Sequence, residues 1–271
     1  MKKAGMFMSR FLLLFIVFLT VFPFYLLLVN SVKWHKEIIT EPWALPVKLH
    51  FGNFVKAFEQ LWRPMANTMF VTVCVIALVL LVASLAGYAF SRFQFKGSNI
   101  LLMVIMAMLM IPGFVVLIPQ FVQLNKLGMY NSYGALIFPP VAGLSVTATF
   151  LLKNAMEAIP KSLFEAADME GAREWQILAK IVVPLVKPTM ATVMITTGLT
   201  TWNNYLWPLV ATSGESTKQI SVAITQMIRT TVEGDGIAFA GYIIASLPIL
   251  ILFCFANKAF VSGISGGAVK G

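Results

Sequence analysis

Two sets of residues in this sequence are of types that could do chemistry. Glu165, Asp168, Glu170 and Glu174 gather in one polar stretch, and neighbouring carboxylates are common equipment for general acid–base work. No nucleophile–base pair or metal cluster accompanies them. His35 and His50 share a loop without metal-ligand spacing, and Cys74 and Cys254 lie inside apolar runs, as buried thiols do. No catalytic residue, metal or cofactor is therefore expected, and the acids suit helix caps and contact charges. The second set is a polar stripe. On a helical reading of residues 188–206, Thr189, Thr192, Thr196, Thr200 and Asn203 share one face, with Thr197, Thr201 and Asn204 beside it. Such a stripe is costly against lipid and belongs inside a bundle. Two explanations stand open. The hydroxyls can bond to backbone carbonyls four residues back, or they can line a route for a hydroxyl-rich solute. Thr196, Thr200, Asn203 and Asn204 are the candidates for that lining.

The elements that must position these residues are membrane spans. Of 271 residues, 59% are hydrophobic and 11% charged, whereas a soluble domain carries roughly a quarter charged. The net charge of +9 comes from basic residues scattered among loops, which is no nucleic-acid footprint and reads instead as topology. Apolar runs predict six spans, at about residues 11–29, 65–90, 99–121, 134–152, 188–206 and 237–260. The first lacks the short core and small-residue cleavage site of a secretory signal and is expected to stay uncleaved. Lys2, Lys3 and Arg10 place the N-terminus in the cytoplasm by the positive-inside rule, with Lys33, Lys36, Lys48, Lys56 and Arg63 counting against it. Residues 31–63 are then an outer loop holding a short amphipathic helix at 49–57, and residues 210–236 a second outer loop. Ala83 and Gly87 form a small-xxx-small pair for close helix contact. Pro112, Gly113, Pro119, Pro139, Pro140 and Gly143 interrupt spans three and four, and broken backbone at membrane depth marks cavity candidates.

Between spans four and five lies the polar stretch 153–187. Pro160 stops what precedes it. Ser162 with Glu165 three positions on predicts a capping box, and a first helix with the small pair Ala166 and Ala167 ends at Gly171, where a left-handed terminus is tolerated. A second helix places Trp175, Leu178, Ile181 and Val182 on one face and closes at Pro184. Phe164, Met169 and Trp175 offer apolar surface to a partner's groove. The charges of this stretch nearly balance, unlike those of a lipid-binding helix.

Glu165-Ala166-Ala167, Gly171, Ile181 and Pro184 resemble the "EAA…G…I.LP" loop of ABC importer permeases. Residues 86–97, with Ala86, Tyr88, Ala89, Arg92, Phe95 and Gly97, resemble the "AYA.aR..F.G" signature of sugar-type members. Thr201-Trp202-Asn203-Asn204-Tyr205 resembles their "WN.Y" sequence, and the C-terminal glycine-rich tail resembles the ending of maltose-type permeases. The resemblance implies an all-α membrane protein with six transmembrane helices in a type I ABC importer permease fold, carrying a cytoplasmic EAA coupling helix. Its implied parts are an N-terminal helix and outer loop (1–64), a five-helix core (65–260) with coupling loop 153–187, and a cytoplasmic tail (261–271). It further implies a multi-pass cell-membrane location with both termini cytoplasmic, and an importer of sugars or oligosaccharides. The implied partners are a second, homologous permease subunit, a cytoplasmic ATPase dimer and an extracytoplasmic solute-binding protein, besides membrane lipid and the sugar itself, with no nucleic acid. Ser162, Glu165, Ala166, Ala167, Gly171 and Pro184 would meet the ATPase. Val269, Lys270 and Gly271 would insert between the two ATPases, a frayed end being the other reading of the tail. No phosphate-binding loop G-x-x-x-x-G-K-[ST] occurs in the chain, so ATP hydrolysis would fall to partner subunits. The alternative, a stand-alone secondary transporter or channel, commonly places ionisable residues inside its spans; the interiors of the segments above lack Asp, Glu, Lys and Arg, Lys258 marking the end of the last.

Overall fold

A computed structural model describes residues 2–93, 95–230 and 235–268, and every regular element among them is a helix. Two units make up the chain. The first comprises Met1–Met65 and Val222–Leu247, the second Ala66–Ser221 and Pro248–Gly271.

In the first unit, α1 (Lys2–Ser31) leaves nearly all of its apolar surface uncovered, as a lipid-facing span does. A short α2 (His35–Thr40) follows. Lys33 is buried, its Nζ donating to the Glu41 carbonyl at 2.8 Å just beyond the end of that helix. Asn53, at the start of α3 (Gly52–Arg92), donates from Nδ2 to the carbonyls of Ser31 and Lys33, both at 2.9 Å. The separate amphipathic helix expected at 49–57 is therefore a correction: it is the first turns of one continuous helix that runs through Pro64. Its burial explains the extension, since Ala57 and Leu61 are fully covered, and packing overrides a lone proline. The loop expected at 210–236 is corrected likewise by α12 (Ile220–Thr230).

The second unit holds the core. The remainder of α3, α6 (Tyr133–Glu157) and α10 (Lys187–Trp202) bury Val71, Val75, Val79, Leu136, Leu152 and Val193 against one another. Ala83 is fully buried, and a Cβ on Gly87 would lie 3.0 Å from the Lys153 backbone nitrogen. The small pair thus does set a close approach, between α3 and α6. Span three is broken. Ile111, preceding Pro112, is held extended (ψ 116°) by the proline ring, so α4 (Ser98–Ala107), which runs on to Met110, and α5 (Gly113–Lys126) meet at 100°. Span five is also the second arm of a bent pair at 78°, Glu174–Leu185, which ends in the short α9 (Val183–Leu185), and Lys187–Trp202. Counting each bent pair once, up to six of the described segments are long and apolar enough to cross a membrane, four of them uninterrupted. The last is α13 (Asp235–Ala268).

Pro139 and Pro140 both lie inside α6, and the carbonyl that Pro139 frees finds a partner. Pro139 has no N–H to give the Ala135 carbonyl four residues back. That carbonyl accepts instead from the buried indole Nε1 of Trp207, at 2.8 Å, on α11 (Leu206–Ala211). A polar cluster closes the same end of the unit. Asn67 donates to the Ser216 and Lys218 carbonyls and accepts from the Tyr133 hydroxyl, at 2.8–3.0 Å. Asn131, at φ 57°, accepts from Gly214 N and Thr217 Oγ1.

Candidate functional site: an elbow and a cavity in the second unit

The elbow is α7 (Lys161–Met169), the Gly171 turn, and α8 (Glu174–Ile177) continuing through Leu185. The expected capping box at Ser162 is not formed. Pro160 occupies the N-cap, its carbonyl accepting from Leu163 N at 3.1 Å, and Ser162 is exposed inside the first turn, with Glu165 also exposed. Proline already fixes the entry φ and has no N–H to satisfy. The reciprocal contact appears one helix later, where the Arg173 N–H donates to Gln176 Oε1 at 2.9 Å. Gly171 ends α7 as its position requires. At φ 70° its N–H reaches the Asp168 carbonyl, and Ala172 N reaches that of Ala167, each at 3.0 Å. Pro184 stands at the bend before α10, and the turn before it, Leu178–Val182, widens to a π-helix where the ladder loses a donor.

The elbow's two faces differ. Phe164, Ala167, Ile177 and Val182 pack into the core with Tyr88, Met156 and Ile159. Phe164 is therefore an internal anchor, only 8% exposed, and not the partner surface expected of it. Ala166 is exposed; Ala167 is buried. Met169 and Trp175, at 88% and 60% exposure, do face outward together with Leu163. Missing from the sequence reading was the attachment. Arg92, in the last turn of α3, places Nη2 at 2.7 Å from Asp168 Oδ2 and 3.7 Å from Glu174 Oε1, and its guanidinium lies 5.0 Å above the Phe164 ring. The Tyr88 hydroxyl donates to Glu174 Oε2. Arg92 reads in sequence as a snorkelling span end, and nothing local to it signals an acid 76 positions away.

Behind the Pro112 break lies a cavity of about 500 Å³, where α5, the middle of α6 and the end of α10 meet. Gly113, Pro139, Pro140 and Gly143 line it, so the helix breakers of spans three and four do border a cavity. Its walls are mostly apolar, with Phe114 and Trp207 among them; Gln120, Thr200, Thr201 and Asn204 are its polar members. Asn204 is pinned through oxygen. Its Oδ1 accepts from Trp207 N at 3.3 Å and its carbonyl from Ser221 Oγ at 2.7 Å. The Nδ2 donors have no partner among the described residues. Thr201 Oγ1 is buried without a hydrogen bond there. A second cavity of about 200 Å³ continues along α10 past Thr147, Thr196 and Thr197, sharing Leu144 and Thr200 with the first.

The stripe divides by position between backbone-bonded hydroxyls and hydroxyls that border a cavity. Thr192 and Thr196 bond back to the carbonyls of Pro188 and Thr192, at 3.2 and 2.9 Å. Thr200 and Thr201 turn to the cavity. Asn203 does not line it; its Nδ2 donates to the Leu199 carbonyl at 2.9 Å. Gln120, Phe114 and Trp207 were missed, though Gln120 next to Pro119 in an apolar run carried a signal. Among the described residues no His, Cys, Asp and Glu group could hold a metal. Val269, Lys270 and Gly271 lie outside the described residues.

With this geometry in place, known proteins can be set beside it. A family model described as "Binding-protein-dependent transport system inner membrane component" matches residues 79–266. The arabinooligosaccharides transport system permease protein AraQ of Halalkalibacterium halodurans is 32% identical over 263 residues, covering 95% of this chain and 94% of its own. The lactose transport system permease protein LacG of Rhizobium radiobacter is 32% identical, with coverage of 92% and 91%. The melibiose/raffinose/stachyose import permease protein MelC of Bacillus subtilis is 31% identical, with the same coverage. Among solved structures, a bacterial ABC transporter involved in the import of the acidic polysaccharide alginate has a chain that superposes with a TM-score of 0.83. It is 22% identical, and 95% of this chain and 97% of that one are covered.

Proposed function

The chain belongs to the binding-protein-dependent transport system inner membrane components, and from that membership we propose that it is a permease subunit of an ATP-driven importer of sugars or oligosaccharides. It forms half of the translocation path with a second, homologous permease subunit, receives solute from an extracytoplasmic binding protein, and is moved by an ATPase pair held at the elbow. The substrates in the names of its relatives, arabino-oligosaccharides, lactose and raffinose-type sugars, support the solute class.

The observation that carries the coupling reading is the two-faced elbow, locked to its own core on one side and presenting Met169, Trp175 and Leu163 on the other. Exposed apolar anchors on a rigid element are what a groove on a partner grips. Closing of the ATPase pair on ATP would push the elbow, and the bent pair at Leu185–Lys187 would pass that push into α10, which lines the cavities. The charge pattern supports a cytoplasmic elbow, and Lys2, Lys3 and Arg10 a cytoplasmic N-terminus. The elbow's end of the second unit carries Arg92, Lys96, Lys153, Lys161, Arg173, Lys180 and Lys187; the Asn131 end carries Lys126 and Lys218.

For the solute, amide and hydroxyl donors around Phe114 and Trp207 suit a sugar, whose hydroxyls pair with polar groups while its C–H face lies on an aromatic ring. Uptake and binding-protein affinity across a panel of neutral oligosaccharides, with the complex reconstituted in proteoliposomes, tests this. Removing one hydrogen-bond donor costs about 1.4 kcal/mol, so Asn204→Ala is expected to reduce uptake of the preferred sugar about tenfold at low concentration. The ATPase subunits remain bound in that variant. Transport by this polypeptide alone, without ATP, would favour the secondary-transporter alternative.

A further inference from the structure

We propose that Arg92 is the positioning residue that makes both arms of the elbow move as one body with α3. The inference rests on the coupling reading above and goes beyond it by naming what inside this chain carries the push. Asp168 closes the first arm and Glu174 opens the second, with the Gly171 turn between them. A glycine turn alone is soft, since Gly171 has nothing within 4 Å of its Cβ position to limit it. One guanidinium spans both sides, at 2.7 Å from Asp168 and 3.7 Å from Glu174, and Tyr88, one turn earlier on the same helix, holds Glu174 as well. The Phe164 ring, 5.0 Å from the guanidinium, backs it on the core side. Both carboxylates are about half exposed, 48% and 47%, so these pairs add little to stability. What they fix is an angle. The "AYA.aR..F.G"-like and EAA-like stretches, 76 positions apart between Arg92 and Asp168, thus meet in one contact.

The test uses the intact complex in proteoliposomes and reads sugar taken up per ATP hydrolysed. Arg92→Gln is expected to leave assembly and ATP hydrolysis near wild type while uptake per ATP falls about fivefold or more. Arg92→Lys, which keeps a cation between the two carboxylates and loses only the planar fork, is expected to return the ratio to within about twofold of wild type. An unchanged ratio in Arg92→Gln overturns the proposal. So does a parallel loss of assembly, hydrolysis and uptake that Arg92→Lys does not restore, because that is the signature of a merely structural contact. A wild-type chain that binds no ATPase and takes up no sugar with ATP would instead defeat the functional reading itself.

Discussion

Replacing Gly171 by leucine is expected to strip the ATPase subunits from the purified complex about tenfold while the chain remains in the membrane. Gly171 sits at φ 70°, where a side chain costs about 1–2 kcal/mol, and 1.4 kcal/mol is a factor of ten in an equilibrium. The cost is purely conformational, since no atom lies within 4 Å of the position a Cβ would take. The chain relieves it by leaving the left-handed region, which swings α8 away from α7 and separates Met169 from Trp175. Asparagine tolerates that region, so Gly171→Asn is expected to keep most of the association. Co-purification of ATPase with each variant reads the difference. Equal retention in Gly171→Leu and wild type would mean that the angle of the turn does not matter to the partner.

The second large effect is expected at Gly87, for the opposite reason. Here the backbone is ordinary helix and space is what is missing: a Cβ would meet the Lys153 nitrogen at 3.0 Å and Leu152 Cβ at 3.3 Å. Helices in a membrane associate through such close approaches, and overpacking costs about 1–3 kcal/mol. Gly87→Leu is expected to lose up to about 3 kcal/mol of stability, lowering the thermal midpoint and the yield of monodisperse protein in detergent. Gly87→Ala falls between. A Gly87→Leu protein as stable as wild type would show that α3 and α6 are not held where the structure puts them.

The sequence made the parts of this molecule legible to different degrees. Span existence followed from apolar length, and Gly171, Pro184 and the Ala83–Gly87 pair were readable because each acts through its own backbone or through a missing side chain. Breakers at Pro112 and Pro139 pointed to a cavity because freed backbone groups need partners, and Trp207 is that partner for Ala135. Ser162 misled because a capping box is a local pattern, and Pro160 had already taken the cap position. Phe164 misled because one exposed-looking helix face is decided by what packs on it, here Arg92 and the α3 end. Gln120, a polar residue beside Pro119 in an apolar run, carried a signal, but the Arg92 attachment and the Phe114 lining were not readable, since each depends on residues brought together from distant parts of the chain.

A cross-link from position 169 bears most directly on the gripped elbow. Met169 is the most exposed apolar side chain there. With Cys74 and Cys254 replaced by alanine, Met169→Cys in the intact complex is expected to react with maleimides only from the cytoplasmic side. A short bismaleimide is then expected to join the chain to the nucleotide-hydrolysing subunit. Labelling of intact cells by an impermeant maleimide, or an assembled complex that yields no such adduct, would contradict it.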